Sequence, residues 1–188
     1  MKTRNFLTTA FFALTIFATT SIFAQKEKTV TVGGAPMYSS KNIVENAVNS
    51  KDHTTLVAAV KAAGLVETLQ SKGPFTVFAP TNAAFDKLPK GTVETLLKPE
   101  NLKLLQTILT YHVVAGKMSS ADIVKAIKAG MGKATLKTVS GGTLTAWMKG
   151  SNVYLTDENG NSAKVTIADV NQSNGVIHVI DAVVTPKS

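Results

Sequence analysis

The pattern of apolar and polar residues divides most of the chain into a helical half and an extended half. From Thr135 onward, β-rich runs alternate with turn-forming glycine and asparagine residues, which predicts a meander of mostly antiparallel strands. Before that point, apolar side chains recur at helical spacing in four stretches: Ile43 to Val48, Leu56 to Ala63, Leu102 to Leu109 and Ile123 to Ala129. Helices followed by strands predict an α+β domain rather than a βαβ repeat.

One strand-to-helix corner is predicted inside the helical half, in GPFTVFAPTNAAFDKLP at residues 73–89. Phe75 to Ala79 is an apolar strand, and Pro80 ends it because proline has no N–H for the ladder. Thr81 or Asn82 can cap the helix that follows. We therefore expect a buried strand that leads directly into a capped helix.

The last apolar run, NGVIHVIDAVV at residues 174–184, is apolar on both faces apart from His178 and Asp181. Such a run belongs in the interior of a sheet, where both faces are covered. We therefore expect Val176 to Val184 and Phe75 to Ala79 to be central strands of a small β-sandwich or wedge, with the helices packed against it.

Residues 1–24 have the organisation of a secretory signal peptide. Lys2 and Arg4 form a basic start, Phe6 to Ile16 is mostly apolar, and cleavage is expected after Ala24. An uncleaved anchor is the alternative, and no later stretch is long enough to span a membrane. Residues 25–38 are expected to form a flexible lead that carries little of the core.

Composition narrows the possible chemistry. The chain contains no cysteine, which excludes disulfides, thiol catalysis and thiolate metal sites. After signal cleavage no arginine remains, which disfavours sequence-specific binding to nucleic acid because lysine lacks the planar guanidinium fork. Between Lys87 and Lys137 lysines far outnumber acidic residues, so this segment could bind a polyanion or could simply be a solvated surface.

Three motifs in this order resemble the fasciclin domain family. They are FTVFAPTNAAFDKLP at residues 75–89, the pair Tyr111-His112, and NGVIHVIDAVVTP at residues 174–186. The resemblance implies one fasciclin-like domain over residues 39–186, as in single-domain secreted bacterial members.

What the resemblance implies about function is adhesion to a cell-surface or matrix protein or to a polysaccharide. In animal members, integrin binding is attributed to the tyrosine–histidine region and to a short Asp-Ile motif near the second signature. The matching positions here are Tyr111, His112, Asp169 and Val170, and valine replaces the isoleucine. An integrin role is therefore doubtful for this chain, whereas a general adhesive role remains expected.

No catalytic, cofactor or metal site is predicted. His112 and His178 could meet near Asp169 or Asp181 in a metal or acid–base site, or each could be a core histidine satisfied by hydrogen bonds. No nucleophile motif such as Gly-x-Ser-x-Gly is present. The remaining hypotheses are an adhesion module, a carrier of a small or polyanionic ligand that uses the lysine-rich surface, and a hydrolase that uses one of these histidines.

Two further local patterns have structural and functional interpretations. Residues 157–161, DENGN, faintly resemble a calcium loop, but Asn159-Gly160 favours a hairpin turn. Trp147, Met148 and Tyr154 could form a sugar-stacking platform or a cross-strand cluster.

Overall fold

The computed structural model describes residue 27 and residues 29–187. The predicted signal peptide lies outside the described residues. The helices of the described part are α1 Ile43–Ala47, α2 Thr54–Ala62, α3 Val66–Gln70, α4 Asn82–Phe85, α5 Thr92–Leu96, α6 Leu102–Tyr111 and α7 Ser120–Ala129. Short 3₁₀ turns precede α2 at Lys51–His53 and α6 at Pro99–Asn101.

Strands form a two-stranded hairpin and one larger seven-stranded sheet. The hairpin pairs β1, Val30–Val32, with β2, Ala35–Met37. The sheet has the order β4-β3-β9-β8-β7-β6-β5. Its strands are β3 Phe75–Pro80, β4 Val113–Ala115, β5 Lys133–Lys137, β6 Thr143–Lys149, β7 Asn152–Thr156, β8 Ser162–Gln172 and β9 Gly175–Ile180.

The strand order confirms the predicted meander and the α+β class. Strands β5 to β9 pair antiparallel in sequence order, whereas β3 inserts between β4 and β9 and pairs parallel to β9. Both expected central strands therefore have a neighbour on each side. Every residue of β9 is buried, but the strand ends at Ile180 rather than at Val184, which is buried outside the ladder.

The sheet bends so strongly that its two edges meet. Strand β8 is eleven residues long, and it pairs with β7 over residues 162–164 and with β9 from Val165 to Gln172. The edge strands then approach each other, since Val114 bridges Thr138 and the Val139 N–H donates to the Val113 carbonyl over 2.8 Å. The result is a closed wedge that separates two hydrophobic cores.

The two cores lie on opposite faces of the bent sheet. One contains residues of α1, α2 and the hairpin together with β3 and β9 side chains such as Val77 and Ile177. The other contains Tyr111, α7 residues and the inward side chains of β5 to β8, such as Leu144 and Leu155. Alternation along the central strands sends successive side chains to different cores.

The expectation that residues 25–38 carry little of the core is wrong for the part that the structure describes. Val32 and Met37 of the hairpin are almost fully buried and belong to the first core. The hairpin turns at Gly33 and Gly34, both with positive φ, and Gly33 lies so close to Ser50 that a side chain has no space. The two strands have only three residues each, so their alternation was too short to reveal this contribution in the sequence.

The predicted corner after β3 forms as expected. The Thr81 side chain accepts a hydrogen bond from the Ala84 N–H over 3.2 Å and so caps α4. Asn82 instead reaches back to the start of α2, accepting from the Thr55 N–H and donating to the Lys51 carbonyl. The corner therefore joins the helical layer to the sheet.

Candidate functional site

Tyr111 is the last residue of α6, and its side chain lies entirely inside the second core. Its hydroxyl donates to the Thr143 carbonyl over 2.5 Å and accepts from the Glu158 N–H over 3.2 Å. These bonds connect the end of α6 to the first residue of β6 and to the loop after β7. We call this arrangement of Tyr111, Thr143 and Glu158 the loop anchor.

Packing around the tyrosine ring leaves no spare volume. A Cβ atom added at Gly142 would lie 2.7 Å from the Tyr111 Cε2 atom, so glycine is required by the close approach of the ring. Burial raises the pKa of Tyr111 to about 12, with a smaller contribution from the nearby Glu158 carboxylate. The hydroxyl therefore stays protonated and serves as donor and acceptor at once.

His112 follows Tyr111 and is buried with 3% of its surface exposed. The Val184 N–H donates to its Nε2 atom over 3.2 Å, so the proton sits on Nδ1, which donates to the Ile108 carbonyl over 2.8 Å. Burial lowers the pKa of His112 to about 4, against the opposing effects of the Ile108 carbonyl and of Asp157. The ring is a neutral connector between α6 and the segment after β9.

Asp169 occupies an irregular point of β8. Its φ of 58° lies in the left-handed region, within a register shift between Ile167 and Val170. The carboxylate accepts from the Ser120 N–H over 2.7 Å and also from the Ser120 hydroxyl. The bulge thus aims this carboxylate at the first turn of α7, while Val170 is 1% exposed and packs in the first core.

His178 in β9 connects the same bulge to the loop before α7. The Asp169 N–H donates to its Nδ1 atom over 3.3 Å, and Nε2 donates to the Met118 carbonyl over 2.9 Å. Its proton is therefore on the opposite nitrogen from that of His112. Burial lowers the pKa of His178 as well, so this ring is also held neutral.

The sequence-predicted residues are brought into one row across four neighbouring strands. His112 precedes β4, and its carbonyl accepts a hydrogen bond from the Phe78 N–H of β3. The Phe78 ring stacks on the His178 ring of β9, with centroids 5.7 Å apart. Asp169 of β8 then donates its N–H to His178. Every polar contact in this row is internal. Over the described residues, no three His, Cys, Asp or Glu side chains lie close enough together to share a metal ion.

Several functional positions were missed by sequence reasoning because they are polar residues whose partners are distant in sequence. The buried Asp157 carboxylate accepts from the Asn161 and Thr185 N–H groups and holds the C-terminal segment against the predicted turn at 157–161, which is confirmed. Asn174 accepts from the Ile43 N–H and donates to the Leu69 and Ser71 carbonyls. An asparagine or aspartate at the end of an apolar run was the available signal.

Exposed apolar side chains are concentrated at α5 and α6. Leu97, Leu102 and Leu104 are three of the six large exposed hydrophobic residues in the described part, and Leu104 is 51% exposed. Leu104 also lines an apolar groove of about 200 Å³ between α4, α5 and α6, which reaches His112 and Thr185. We call Leu97, Leu102, Leu104 and this groove the leucine patch.

The aromatic pair in the meander forms the predicted cross-strand cluster. Trp147 and Tyr154 are direct partners on β6 and β7, and their rings stack with centroids 4.9 Å apart at 21°. The indole N–H donates to the Thr156 hydroxyl over 2.8 Å. Each ring therefore covers one face of the other instead of offering a flat platform.

Comparison with known proteins identifies the family. A fasciclin domain model matches residues 51–186, so the chain belongs to the fasciclin domain family. Protein sll1483 of Synechocystis is 48% identical over 94% of both chains. Immunogenic protein MPT70 of Mycobacterium tuberculosis is 40% identical, over 74% of this chain and 66% of that protein.

Two matches come from animal proteins. The transforming growth factor-beta-induced protein ig-h3 of Sus scrofa is 40% identical over 70% of this chain, which corresponds to 17% of that protein. A FAS1 domain pair from the insect cell adhesion molecule fasciclin I has a TM-score of 0.67 over 76% of this chain and 50% of its own, at 19% identity. That structural match confirms the fold.

The model contains no candidate membrane span among its described residues, because none of their helices combines sufficient length with sufficient apolar character.

Proposed function

We propose that this chain is a secreted, non-catalytic adhesion module that binds cell-envelope or matrix material. The observation that carries the proposal is the leucine patch, because exposed apolar residues grouped beside a groove are typical of interaction surfaces. Membership of a family that includes an insect cell adhesion molecule supports this function. Secretion follows from the predicted signal peptide and is tested by sequencing the N-terminus of the exported protein, which should begin at Gln25.

The predicted adhesion residues act in this proposal by positioning surfaces. Tyr111 and His112 hold the C-terminal end of α6, and His112 also lines the groove, so this pair supports the shape of the leucine patch. The Asp169 carboxylate holds the first turn of α7 to the sheet, and Val170 packs in the first core. Direct contact with a partner would then come from exposed side chains that these residues support.

The test is binding of the purified protein to envelope polysaccharide, to matrix proteins and to whole cells. We expect Leu104→Ser to weaken binding about tenfold or more, as loss of a central apolar contact does. Met131→Ser is the matched control, since Met131 is 97% exposed and lies outside the patch. Binding that is saturable and is lost only in the first variant supports the proposal.

One result would contradict the adhesion function, and another would contradict the role of the leucine patch. Absence of saturable binding to any of the three materials, together with turnover of a substrate on a hydrolase panel, would overturn the adhesion function. Equal binding by the two variants and the unmodified protein would remove the leucine patch as the contact surface.

A second candidate function is binding of a polyanion through the lysine-rich segment. All nine lysines from Lys87 to Lys137 are exposed. Among the described residues, Lys87 is the one lysine of this segment that forms an ion pair, with Asp181 at 3.8 Å. Such binding to a sulfated polysaccharide should weaken steeply as salt is raised, since exposed charges are screened over about 10 Å at 0.1 M salt. Adhesion that is insensitive to salt would exclude this candidate in favour of the apolar patch.

A further inference from the structure

An apolar cavity separates the helical layer from the sheet on the side of the first core. Its volume is about 90 Å³. Helices α1, α2 and α3 form one wall and strands β3 and β9 form the other, with Ala47, Val57 and Ile177 among the lining residues. A mainly apolar cavity can take a small apolar molecule.

The cavity reaches the protein surface between the helices. Val44 on α1, Val57 on α2 and Val66 on α3 line it and are only partly buried, so the helical wall is the accessible side. On the sheet wall, by contrast, Val77 and Ile177 are buried, and Phe75 at the start of β3 is partly buried. A ligand would therefore enter between the three short helices.

One polar group inside this lining has no partner. His53 lines the cavity, is 3% exposed, and its Nε2 atom is the one buried side-chain nitrogen or oxygen in the described part without a hydrogen bond. The other ring nitrogen, Nδ1, is 2.9 Å from the Ser50 hydroxyl. Burial lowers the pKa of His53, and the nearby Ala79 carbonyl opposes this effect. That carbonyl does not, however, form a hydrogen bond with Nε2.

An unpartnered buried nitrogen is unusual because it costs about 1–3 kcal/mol relative to a bonded one. The other two histidines of the chain use both ring nitrogens, His112 with Ile108 and Val184, and His178 with Met118 and Asp169. His53 therefore differs from them in having one ring nitrogen, Nε2, without a hydrogen bond among the described residues.

The chemistry of that position selects a hydroxyl. If the Ser50 hydroxyl donates to Nδ1, the Nε2 atom carries the proton and needs an acceptor. If Nδ1 donates to Ser50, the Nε2 atom is an acceptor and needs a donor. A hydroxyl group satisfies either tautomer, whereas a hydrocarbon satisfies neither.

We propose that this cavity is a binding site for a small, mainly hydrocarbon alcohol or phenol, with its hydroxyl bonded to His53 Nε2 and its apolar body held between α1, α2 and α3. The site differs from the leucine patch, although Leu109 and His112 line both the cavity and the groove, and it does not depend on an adhesive function. A single six-membered ring is the upper size that the volume suggests.

The experiment titrates the ¹⁵N-labelled protein with phenol and, separately, with toluene, which has nearly the same shape but no hydroxyl. We expect saturable amide shifts at cavity residues with both probes, and an affinity up to about tenfold higher for phenol, corresponding to one net hydrogen bond. In His53→Phe the ratio of the two affinities should fall to about one. Because this ratio is measured within one variant, a change of cavity volume affects both probes alike.

A filled cavity provides the second arm. Ala47→Leu should abolish binding of both probes, and Ala58→Leu, the same change at an exposed position of α2, should leave it intact. Val57→Phe fills the same space from another helix if the first variant does not fold. Equal affinities for phenol and toluene, a phenol preference that survives in His53→Phe, or shifts confined to residues outside the cavity would each overturn the proposal.

Discussion

The loop anchor and the apolar cavity between α1, α2, α3 and the sheet are both mostly buried, but they are packed in opposite ways. We call the second region the helical cavity. At the loop anchor, Tyr111 fills its space so closely that Gly142 cannot carry a side chain, and both bonding directions of the hydroxyl are used. In the cavity, about 90 Å³ is empty and His53 has a free ring nitrogen. Tight packing with full hydrogen bonding indicates a structural role, and spare volume beside an unpartnered polar atom indicates a binding role.

This difference changes how the family motif is interpreted. The tyrosine–histidine pair is the most recognisable polar feature of the chain, yet both side chains are internal and fully bonded. His53 belongs to none of the recognisable motifs, yet among the described residues it is the one with a buried side-chain nitrogen that has no hydrogen bond. In this domain, the residues that are easiest to recognise in the sequence are those that hold the structure together, and they are not the residues with free bonding positions.

The largest expected effect is on the loop anchor. Tyr111→Ala should lower the free energy of unfolding by about 3–5 kcal/mol, because it removes a fully buried aromatic ring and leaves a cavity. Chemical denaturation measures this change. Tyr111→Phe keeps the ring and is the control, with an expected loss of about 1–3 kcal/mol from the unpaired Thr143 carbonyl and Glu158 N–H. Equal losses in the two variants would contradict the packing explanation.

The next effect is a dependence of stability on pH that arises from His112. Its folded pKa of about 4 lies below the unfolded value near 6.5, so the unfolded chain takes up a proton first as the pH falls. Stability from this group is therefore complete above pH 6.5 and is lost toward pH 4, by about 3 kcal/mol in total. His53 and His178, whose pKa values are also lowered by burial, act in the same direction.

Denaturation curves between pH 7.5 and pH 5 measure this slope in a range where carboxylates remain ionised. His112→Gln removes the titrating ring, so its stability should fall less steeply with acidification than that of the unmodified protein. A slope that does not change in this variant would show that His112 is not the responsible group.

The smallest effect compares the packing of the two regions directly. Gly142→Ala should cost about 1–3 kcal/mol, because the new methyl group collides with the Tyr111 ring. Ala47→Leu adds more atoms but into empty space, so its effect should stay within about 1 kcal/mol in either direction. Thermal melting of both variants checks the contrast. A larger loss in Ala47→Leu would mean that the cavity cannot accept additional volume.

The sequence by itself determined the elements and the family of this protein. Local rules were sufficient where neighbouring residues carry the structure: Pro80 ends β3, and Thr81 caps α4. Continuous apolar character placed β9 in the interior of the sheet. Such features depend on residues a few positions apart, so they can be recognised without tertiary structure.

Only the tertiary structure decided which polar residues face inward and what they hold. The Asp169 carboxylate reaches Ser120 across 49 positions, Asn174 reaches Ile43 across 131, and Val32 and Met37 enter the core through a hairpin with a weak sequence pattern. The helical cavity likewise exists only where three short helices meet the sheet. Bonds and voids of this kind arise from distant segments packing together, and no local pattern of apolar and polar residues records them.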